Sequence, residues 1–453
     1  MTSNRIVQYC TKQSPVRLFA RSNTAAINLR IGSKTHTDLQ SVNRIVQYGF
    51  YAFILSIPLE YPDRTIPVEL HTLTGAAFLL VALLQSRVCF QRPPAPFWLF
   101  VIYLYVWTTL GVLTGPRDVS EFSTAFLIYV EEVLLFWTAY NLMRNEVIAR
   151  NALTVFIFSC GLMALLLRSG LLESTSELGA RYSGRLSGMG QNPNSLAGNF
   201  ALAILVVLGL SYGANKHILR FRSLYLLLIP LMGVCLINTT SRGGFMALVV
   251  GLLMFALKRG NISSKVKIFT TVSVLLVLFV WGSYYSGSMW NRYQKTIEDR
   301  NMAAREEIFP DAWQMFLEKP LIGWGPVNNN YELAARTAEE GRENQQRDTH
   351  NLWLEVLTAT GLVGAIPFFA GVWICSRAAW KARAMTFGIL PFVLMSTLLV
   401  LNVSMNWIQS KQGWLVFAFA LASSRALPAN QRTTTLIAEA HMNWGDLQHS
   451  GIQ

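Results

Sequence analysis

Charge is what this sequence has least of. Only 14% of its 453 residues are Asp, Glu, Lys or Arg, where a water-soluble domain carries roughly 25%. A chain so poor in charge cannot cover a soluble surface with polar groups, so an ordinary soluble domain is excluded. Cysteine is scarce as well. Cys89, Cys160, Cys235 and Cys375 fall in or beside apolar runs, and Cys10 lies near the start. Their spacing is neither paired nor clustered, which excludes a disulfide framework and a Cys-based metal site. Buried thiols acting as small apolar groups are expected instead. Short alternating strands are missing, which argues against a membrane barrel. No P-loop, His-Glu-x-x-His, Cys-x-x-Cys or Asp-x-Asp occurs. ATP-driven transport and nucleotide-sugar chemistry therefore lack sequence support, and no cofactor or metal is expected.

What is present is apolar. Hydrophobic residues make up 52% of the chain. They come in runs such as Phe200–Leu210, Leu224–Ile237 and Val272–Trp281, which their neighbours extend to about the 20 residues needed to cross a bilayer core. The pattern predicts an all-α, polytopic integral membrane protein with about twelve transmembrane helices. They are placed near 44–59, 68–86, 97–113, 122–142, 148–168, 194–213, 221–238, 243–257, 267–286, 351–375, 385–405 and 411–426, the eighth and twelfth being short. Pro58, Pro230, Pro367 and Pro391 lie in or near these spans, where neighbouring helices satisfy the freed carbonyls. The organisation expected is a cytoplasmic N-terminal tail (1–43), nine spans (44–286), a large extracytoplasmic loop (287–350), three spans (351–426) and a cytoplasmic C-terminal tail (427–453). The tail 1–43 is polar and basic, without the apolar core of a signal peptide. The hexapeptide Asn4–Tyr9 recurs as Asn43–Tyr48, and no function is assigned to it.

The net charge of +13 does not point to nucleic acid, because Lys and Arg concentrate in short loops between spans, where positive charge sets topology. With the N-terminus inside, every short inner loop holds at least two cations. Examples are Arg144 with Arg150, and Arg377 with Lys381 and Arg383. The outer loops hold Arg64, Arg117, Arg168, Arg181, Arg185, Arg242 and Lys411, half as many. Both termini are then cytoplasmic. The outer segment 287–350 carries eight basic and eleven acidic residues, so it is not a basic patch. Within it Ala303–Lys319 reads as a helix, with Ile308, Phe309, Ala312, Phe316 and Leu317 on one face. Pro310 either kinks it or marks its start. Such a helix suits the membrane interface with its apolar face to lipid. Gly323-Trp324-Gly325-Pro326 reads as a turn.

Several polar residues stand where a membrane protein has a reason to put them. Arg242, in Ser241-Arg242-Gly243-Gly244, opens the eighth span. Its planar fork suits phosphate oxygens, and the helix N-terminus adds partial positive charge. The alternative is an Arg snorkelling at a span end. His350 opens the tenth span and can take or give a proton near neutral pH, or else cap the helix beginning at 351. Glu355 lies farther in and is expected to face the bundle interior. Arg305 adjoins Glu306 and Glu307, which favours a solvated, salt-bridged face. Arg185 precedes a turn-rich stretch ending in Asn192-Pro193-Asn194-Ser195, where Asn194 and Ser195 are expected to cap the next span or to line a wall beside a substrate. Glu131 and Glu132 fall mid-span and need partners. An Arg or Tyr is the expected partner, and a proton relay the rival.

Four stretches together resemble the O-antigen ligase and O-antigen polymerase superfamily of bacterial envelope glycosyltransferases. They are Gly190-Gln191-Asn192-Pro193-Asn194-Ser195-Leu196-Ala197, then Ser241-Arg242-Gly243-Gly244, then Arg305 to Trp313 with Lys319-Pro320-Leu321-Ile322-Gly323-Trp324-Gly325. The last is His350-Asn351-Leu352-Trp353-Leu354-Glu355 with Gly361-Leu362-Val363-Gly364. The resemblance implies a metal-independent transferase in the bacterial inner membrane, with its active site facing the periplasm. The donor it implies is an undecaprenyl-diphosphate-linked glycan, and the acceptor is lipid A-core, another glycan or a protein hydroxyl. It also implies that Arg242 and Arg305 bind the diphosphate, with Arg185 matching by neighbourhood, and that His350 is the essential loop histidine. Ligase and polymerase differ in acceptor and are not separated by these residues. A membrane transporter is the rival from another class, although no internal repeat links the two halves.

Overall fold

The computed structural model describes residues 42–59, 69–171, 185–188, 191–211, 222–257, 262–298, 305–337 and 346–425. The expected tails, apart from Val42 and Asn43, lie outside the described residues, as do Arg64, Arg181, Gly190 and Cys10. The described residues form α-helices and no β-strand. In chain order these are α1 (Arg44–Ser56), α2 (Leu70–Leu83), α3 (Ser86–Cys89), α4 (Ala95–Thr114), α5 (Val119–Met143), α6 (Glu146–Arg168), α7 (Pro193–Ser211) and α8 (Arg222–Asn238). There follow α9 (Arg242–Met254), α10 (Ile262–Tyr285), α11 (Ser288–Glu298), α12 (Arg305–Glu318), α13 (Asn328–Thr337), α14 (Leu352–Ala382), α15 (Leu390–Ser404) and α16 (Lys411–Ser424).

Each of the twelve apolar stretches contains one of these helices. Six are long and apolar enough to cross a membrane: α4, α5, α6, α7, α14 and the stretch Lys265–Tyr285 of α10. Four shorter apolar helices are Leu70–Leu83, Tyr225–Asn238, Arg242–Leu257 and Leu390–Ser404. Polar caps fix several starts. Asp118 accepts from Glu121 N–H, Asn145 from Val147 and Ile148, Ser241 from Gly244, and Asn351 from Trp353 and Leu354, each satisfying backbone donors that a helix end leaves open.

Helix α7 is the centre of the bundle, buried along nearly its whole length, and α6, α8, α9 and α15 pack on it. On the other side α4, α5, α14 and α16 form a second packed group, cemented by Phe100, Phe136, Phe368, Trp414 and Phe417. Large apolar side chains such as Leu113, Phe269, Val277, Trp281 and Ile366 remain exposed on the outside, the opposite of what water would favour and what lipid accepts. The four described cysteines are buried free thiols, as expected.

Helix α14 is broken at Gly361 (φ 56°, ψ −160°), and the segment after α12 is inserted into the break. The N–H groups of Leu362 and Val363 donate to the carbonyls of Pro320 (2.8 Å) and Leu321 (3.1 Å), while the Thr358 and Ala359 carbonyls accept from Trp324 (2.8 Å) and Gly325 (3.1 Å). The interruption therefore leaves these backbone groups satisfied, the condition for irregular backbone inside an apolar bundle. A Cβ on Gly361 would collide with the Leu321 backbone, and one on Gly323 with the Thr358 carbonyl. Gly361→Ala is expected to lower stability by about 2–4 kcal/mol, combining a glycine-only backbone conformation with overpacking. Thermal unfolding of the purified protein in detergent checks this.

Three expectations are corrected. The loop helix, described from Arg305 to Glu318, keeps Pro310 inside it, and turns its apolar face inward. Ile308, Ala312 and Met315 pack on Leu333 of α13, with Trp324 and Leu354 against the cluster, because a protein surface was at hand to bury what the sequence offered to lipid. Lys411 is not an outer-loop residue. It is 2% exposed, and its Nζ lies 2.7 Å from Glu131 Oε2 and 3.9 Å from Glu132 Oε1. The partner of the mid-span acids is thus a lysine, not an Arg or Tyr. Glu131 stands at the midpoint of α5, so Lys411, the first residue of α16, meets the bundle at that level, and Met405, Trp407 and Ile408 of the connection before it are buried. There Asn402 Oδ1 accepts from Trp407 N–H, Trp414 Nε1 donates to the Ile408 carbonyl, and Gly198 of α7 makes room for the Trp407 ring.

Candidate functional site

The C-terminus of α15 is the point around which the predicted residues gather. Arg305, the first residue of α12, donates from Nη2 to the Ser404 carbonyl at 2.8 Å. Asn351, which follows His350, donates from Nδ2 to the Val403 carbonyl at 3.2 Å. Gly243, which follows Arg242, lies so close to Ser404 that a Cβ would strike its hydroxyl. Arg185 joins from the α7 side. Its Nε donates to the Thr239 carbonyl (3.0 Å) and the Thr240 hydroxyl (3.1 Å), and its Nη2 to Asn194 Oδ1 (3.0 Å). Arg185 is thus tied to the turn that delivers Arg242, while Arg305 and the flanks of Arg242 and His350 meet at residues 403–404.

Two of these helix mouths share one construction. Thr240 (φ 52°) and His350 (φ 48°) are left-handed residues immediately before the N-caps Ser241 and Asn351. A β-branched residue there is uncommon and costs about 1–2 kcal/mol. Such strain persists only where the surroundings over-determine it. Around His350 they do. Asp348 Oδ1 accepts from His350 N–H at 3.0 Å, and Asp348 Oδ2 faces His350 Nδ1 at 3.3 Å. The buried Thr349 hydroxyl lies 3.0 Å from Glu355 Oε2 and 3.0 Å from the Asn351 carbonyl. Glu355 Oε1 accepts from Asn329 Nδ2 at 2.8 Å. Glu355 therefore orients Asn329 and Thr349, and Asn351, not His350, caps α14. His350 is half-exposed, with its Nδ1 edge toward the Asp348 carboxylate.

Helix α13 is anchored to the same end of the bundle. Asn328 bonds the Gly115 carbonyl (3.1 Å) and accepts from Arg117 N–H (2.9 Å), at the turn after α4. Arg336 bridges Glu318 and Glu332 and lies over the Trp324 ring, bracing α12 against α13. Its hydrogen bonds hold the Glu318 carboxyl below the usual range. Glu306 and Glu307 are exposed, while Arg305 reaches inward. Near Arg242 stands Tyr293 of α11, whose hydroxyl burial pushes up to about 12 against the opposing effect of the Arg242 guanidinium. The start of α7 differs from expectation: Asn192, not Asn194, is the cap, its Oδ1 accepting from Asn194 N–H at 2.9 Å, because Asn194 Oδ1 is engaged by Arg185.

Sequence reasoning missed Asp348, Asn329, Tyr293 and Ser404. The first stands two residues before His350 and was within reach of a search for an imidazole with a neighbouring carboxylate. The other three carry no local signal, since tertiary contact alone brings them in.

The described residues are all-helical, with several helices long and apolar enough to cross a membrane, the pattern of a multi-pass membrane protein. A family model described as O-antigen ligase matches residues 226–369, a stretch that holds Arg242, Arg305 and His350 and leaves out Arg185. A relative described as an O-antigen ligase, from Pseudomonas aeruginosa, is 24% identical over 373 residues, covering 74% of this chain and 86% of the relative. Both findings bear out the resemblance to the O-antigen ligase and polymerase superfamily.

Proposed function

We propose that this protein moves a glycan from an undecaprenyl-diphosphate carrier to an acceptor hydroxyl at the periplasmic face of the bacterial inner membrane, as an O-antigen ligase. The observation that carries this reading is the meeting of Arg305 and the flanks of Arg242 and His350 at Val403–Ser404. The twelve helices at the apolar stretches are taken as the spans, residues 287–350 as the periplasmic loop, and both termini as cytoplasmic. The acceptor is lipid A-core, another glycan or a protein hydroxyl.

The chemistry follows from charge. As the bond between the sugar C1 and the diphosphate oxygen breaks, negative charge grows on the leaving group. Arg242 and Arg305 stabilise it, with Arg185 holding the turn beside them, and guanidinium groups held in place by the protein do so more strongly than mobile water. The acceptor hydroxyl attacks C1 and passes its proton to His350 Nε2. The diphosphate carrier departs, and a single displacement inverts the anomeric centre. Because arginines take the leaving-group charge, transfer is expected to survive a metal chelator. Arg242→Lys is expected to lower transfer by about tenfold or more, since a point charge lacks the bidentate fork.

A deletion strain tests the assignment. Loss of lipid A-attached polymer with accumulation of lipid-linked polymer supports the ligase. A single-repeat surface product supports a polymerase, and an unchanged surface glycan removes the proposal.

Asp348 is a positioning residue in this scheme. Asp348→Asn keeps the oxygen that accepts from His350 N–H but removes the carboxylate charge beside Nδ1. It is expected to lower kcat by about tenfold to a hundredfold with little change in donor KM, and Asp348→Glu to recover part of the loss. A purely structural role would instead show as a lower melting temperature.

A further inference from the structure

Tyr293, in α11, brings a hydroxyl group to the mouth of α9. One face of α11 is turned into the protein. Met289 on that face is fully buried. One turn on, the Tyr293 ring packs edge-on against Phe245, with centroids 6.1 Å apart and planes at 71°. Phe245 follows Arg242 by three residues in α9, so the two are neighbours on the surface of that helix. The Tyr293 hydroxyl lies within the field of the Arg242 guanidinium. Tyr293 thus approaches Arg242 from α11, as Arg185 approaches the preceding turn from the α7 side. The hydroxyl oxygen is buried, and it has no hydrogen-bond partner among the described residues.

Packing accounts for the ring and not for the oxygen. A phenylalanine would give Phe245 the same edge-on contact. It would do so without taking a hydroxyl out of water and leaving it unpaired, which opposes folding. A buried polar group of this kind is explained by a bound ligand or an ordered water. The neighbouring charge favours the ligand: a guanidinium draws an anion, and a phenol hydroxyl beside an anion donates to it. Burial pushes the Tyr293 hydroxyl up to about 12, so it keeps its proton through the neutral range and is available as a donor. We propose, resting on the diphosphate-linked donor of the proposed function, that Tyr293 is a substrate-binding residue whose hydroxyl donates a hydrogen bond to a diphosphate oxygen beside Arg242. An uncharged donor is thereby added to the guanidinium groups. No proton leaves Tyr293: the acceptor's proton passes to His350, and the carrier departs as the diphosphate anion.

Tyr293→Phe removes the oxygen and keeps the ring. The purified full chain is titrated with undecaprenyl diphosphate and, as the uncharged control, with undecaprenol. Transfer from a lipid-linked glycan is measured in proteoliposomes, alongside the melting temperature. The wild type is expected to bind the diphosphate at least about tenfold more tightly than the alcohol. In Tyr293→Phe diphosphate binding is expected to weaken by about tenfold or more, the effect of losing a hydrogen bond to a charged group. Undecaprenol binding stays unchanged, and transfer falls by about tenfold to a hundredfold. The melting temperature is expected to be equal or higher, because an unpaired buried hydroxyl is gone. A hydroxyl that serves only packing or a trapped water gives equal diphosphate binding and equal transfer in the variant. That result overturns the role of Tyr293 and leaves the transferase reading standing. Equal weakening of both lipids, or a lower melting temperature, shows a change acting through the fold and also overturns it. A wild type that binds the diphosphate no better than the alcohol overturns the diphosphate-linked donor and this role together.

Discussion

Replacing His350 with asparagine is expected to lower glycan transfer by about 10²–10⁴-fold, the usual contribution of a positioned proton acceptor, while the protein still inserts and folds. Asparagine is the informative choice. His350 has a φ of 48°, a conformation that asparagine tolerates better than alanine, and its own side chain is half-exposed rather than part of the core. The backbone bond to Asp348 and the Asn351 cap remain available to the variant, so lost activity reports the imidazole and not the loop. The measurement is transfer from a lipid-linked glycan to acceptor in proteoliposomes, paired with a melting temperature. Transfer at the wild-type rate by a well-folded His350→Asn protein would sink the proposed role of this residue.

Lys411→Met is expected to lower stability by about 3–5 kcal/mol, the range for removing one partner of a buried ion pair. The ammonium lies between Glu131 and the fully buried Glu132, and methionine of similar length leaves two carboxylates with no cation. The same change loosens the start of α16 and hence the connection Met405–Ser410, which adjoins Ser404. Adding Glu131→Gln and Glu132→Gln to Lys411→Met should recover most of the loss, since neutral groups of similar volume avoid the buried charge. Denaturant or thermal unfolding of the single and triple variants checks this. Equal stability of Lys411→Met and wild type would mean that the pair does not hold these helices.

Much of the fold is legible along the chain because helix formation in an apolar setting depends on local composition. The stretch 97–113 became Ala95–Thr114, 148–168 became Glu146–Arg168, and 243–257 became Arg242–Met254 with the short 3₁₀ turn Phe255–Leu257. The caps Ser241 and Asn351 mark helix mouths by a short-range mechanism that sequence carries. The candidate site is legible only as residue types. Arg242 and His350 are conspicuous as polar residues at the mouths of apolar helices, but their relation to one another is not local. It runs through their neighbours, Gly243 against the Ser404 hydroxyl and Asn351 on the Val403 carbonyl at the end of α15, and nothing in the local sequence marks those contacts. The Gly361 joint was hidden for the same reason. Glycines at 323, 325 and 361 signal turns, yet nothing local says that one turn is threaded into the break of another helix.

Apolar run length and the scarcity of charge settle that this chain is helical and lives in a membrane, because each run meets its hydrophobic requirement without reference to distant residues. Tertiary structure alone decided that Lys411 answers Glu131 across 280 positions, and that Asp348 and Glu355 together hold the strained loop of His350. It also turned the apolar face of α12 onto Leu333 and Leu354. The physical reason is that a buried charge or an apolar face takes whichever partner packing brings within a few ångströms, and that choice is made in three dimensions.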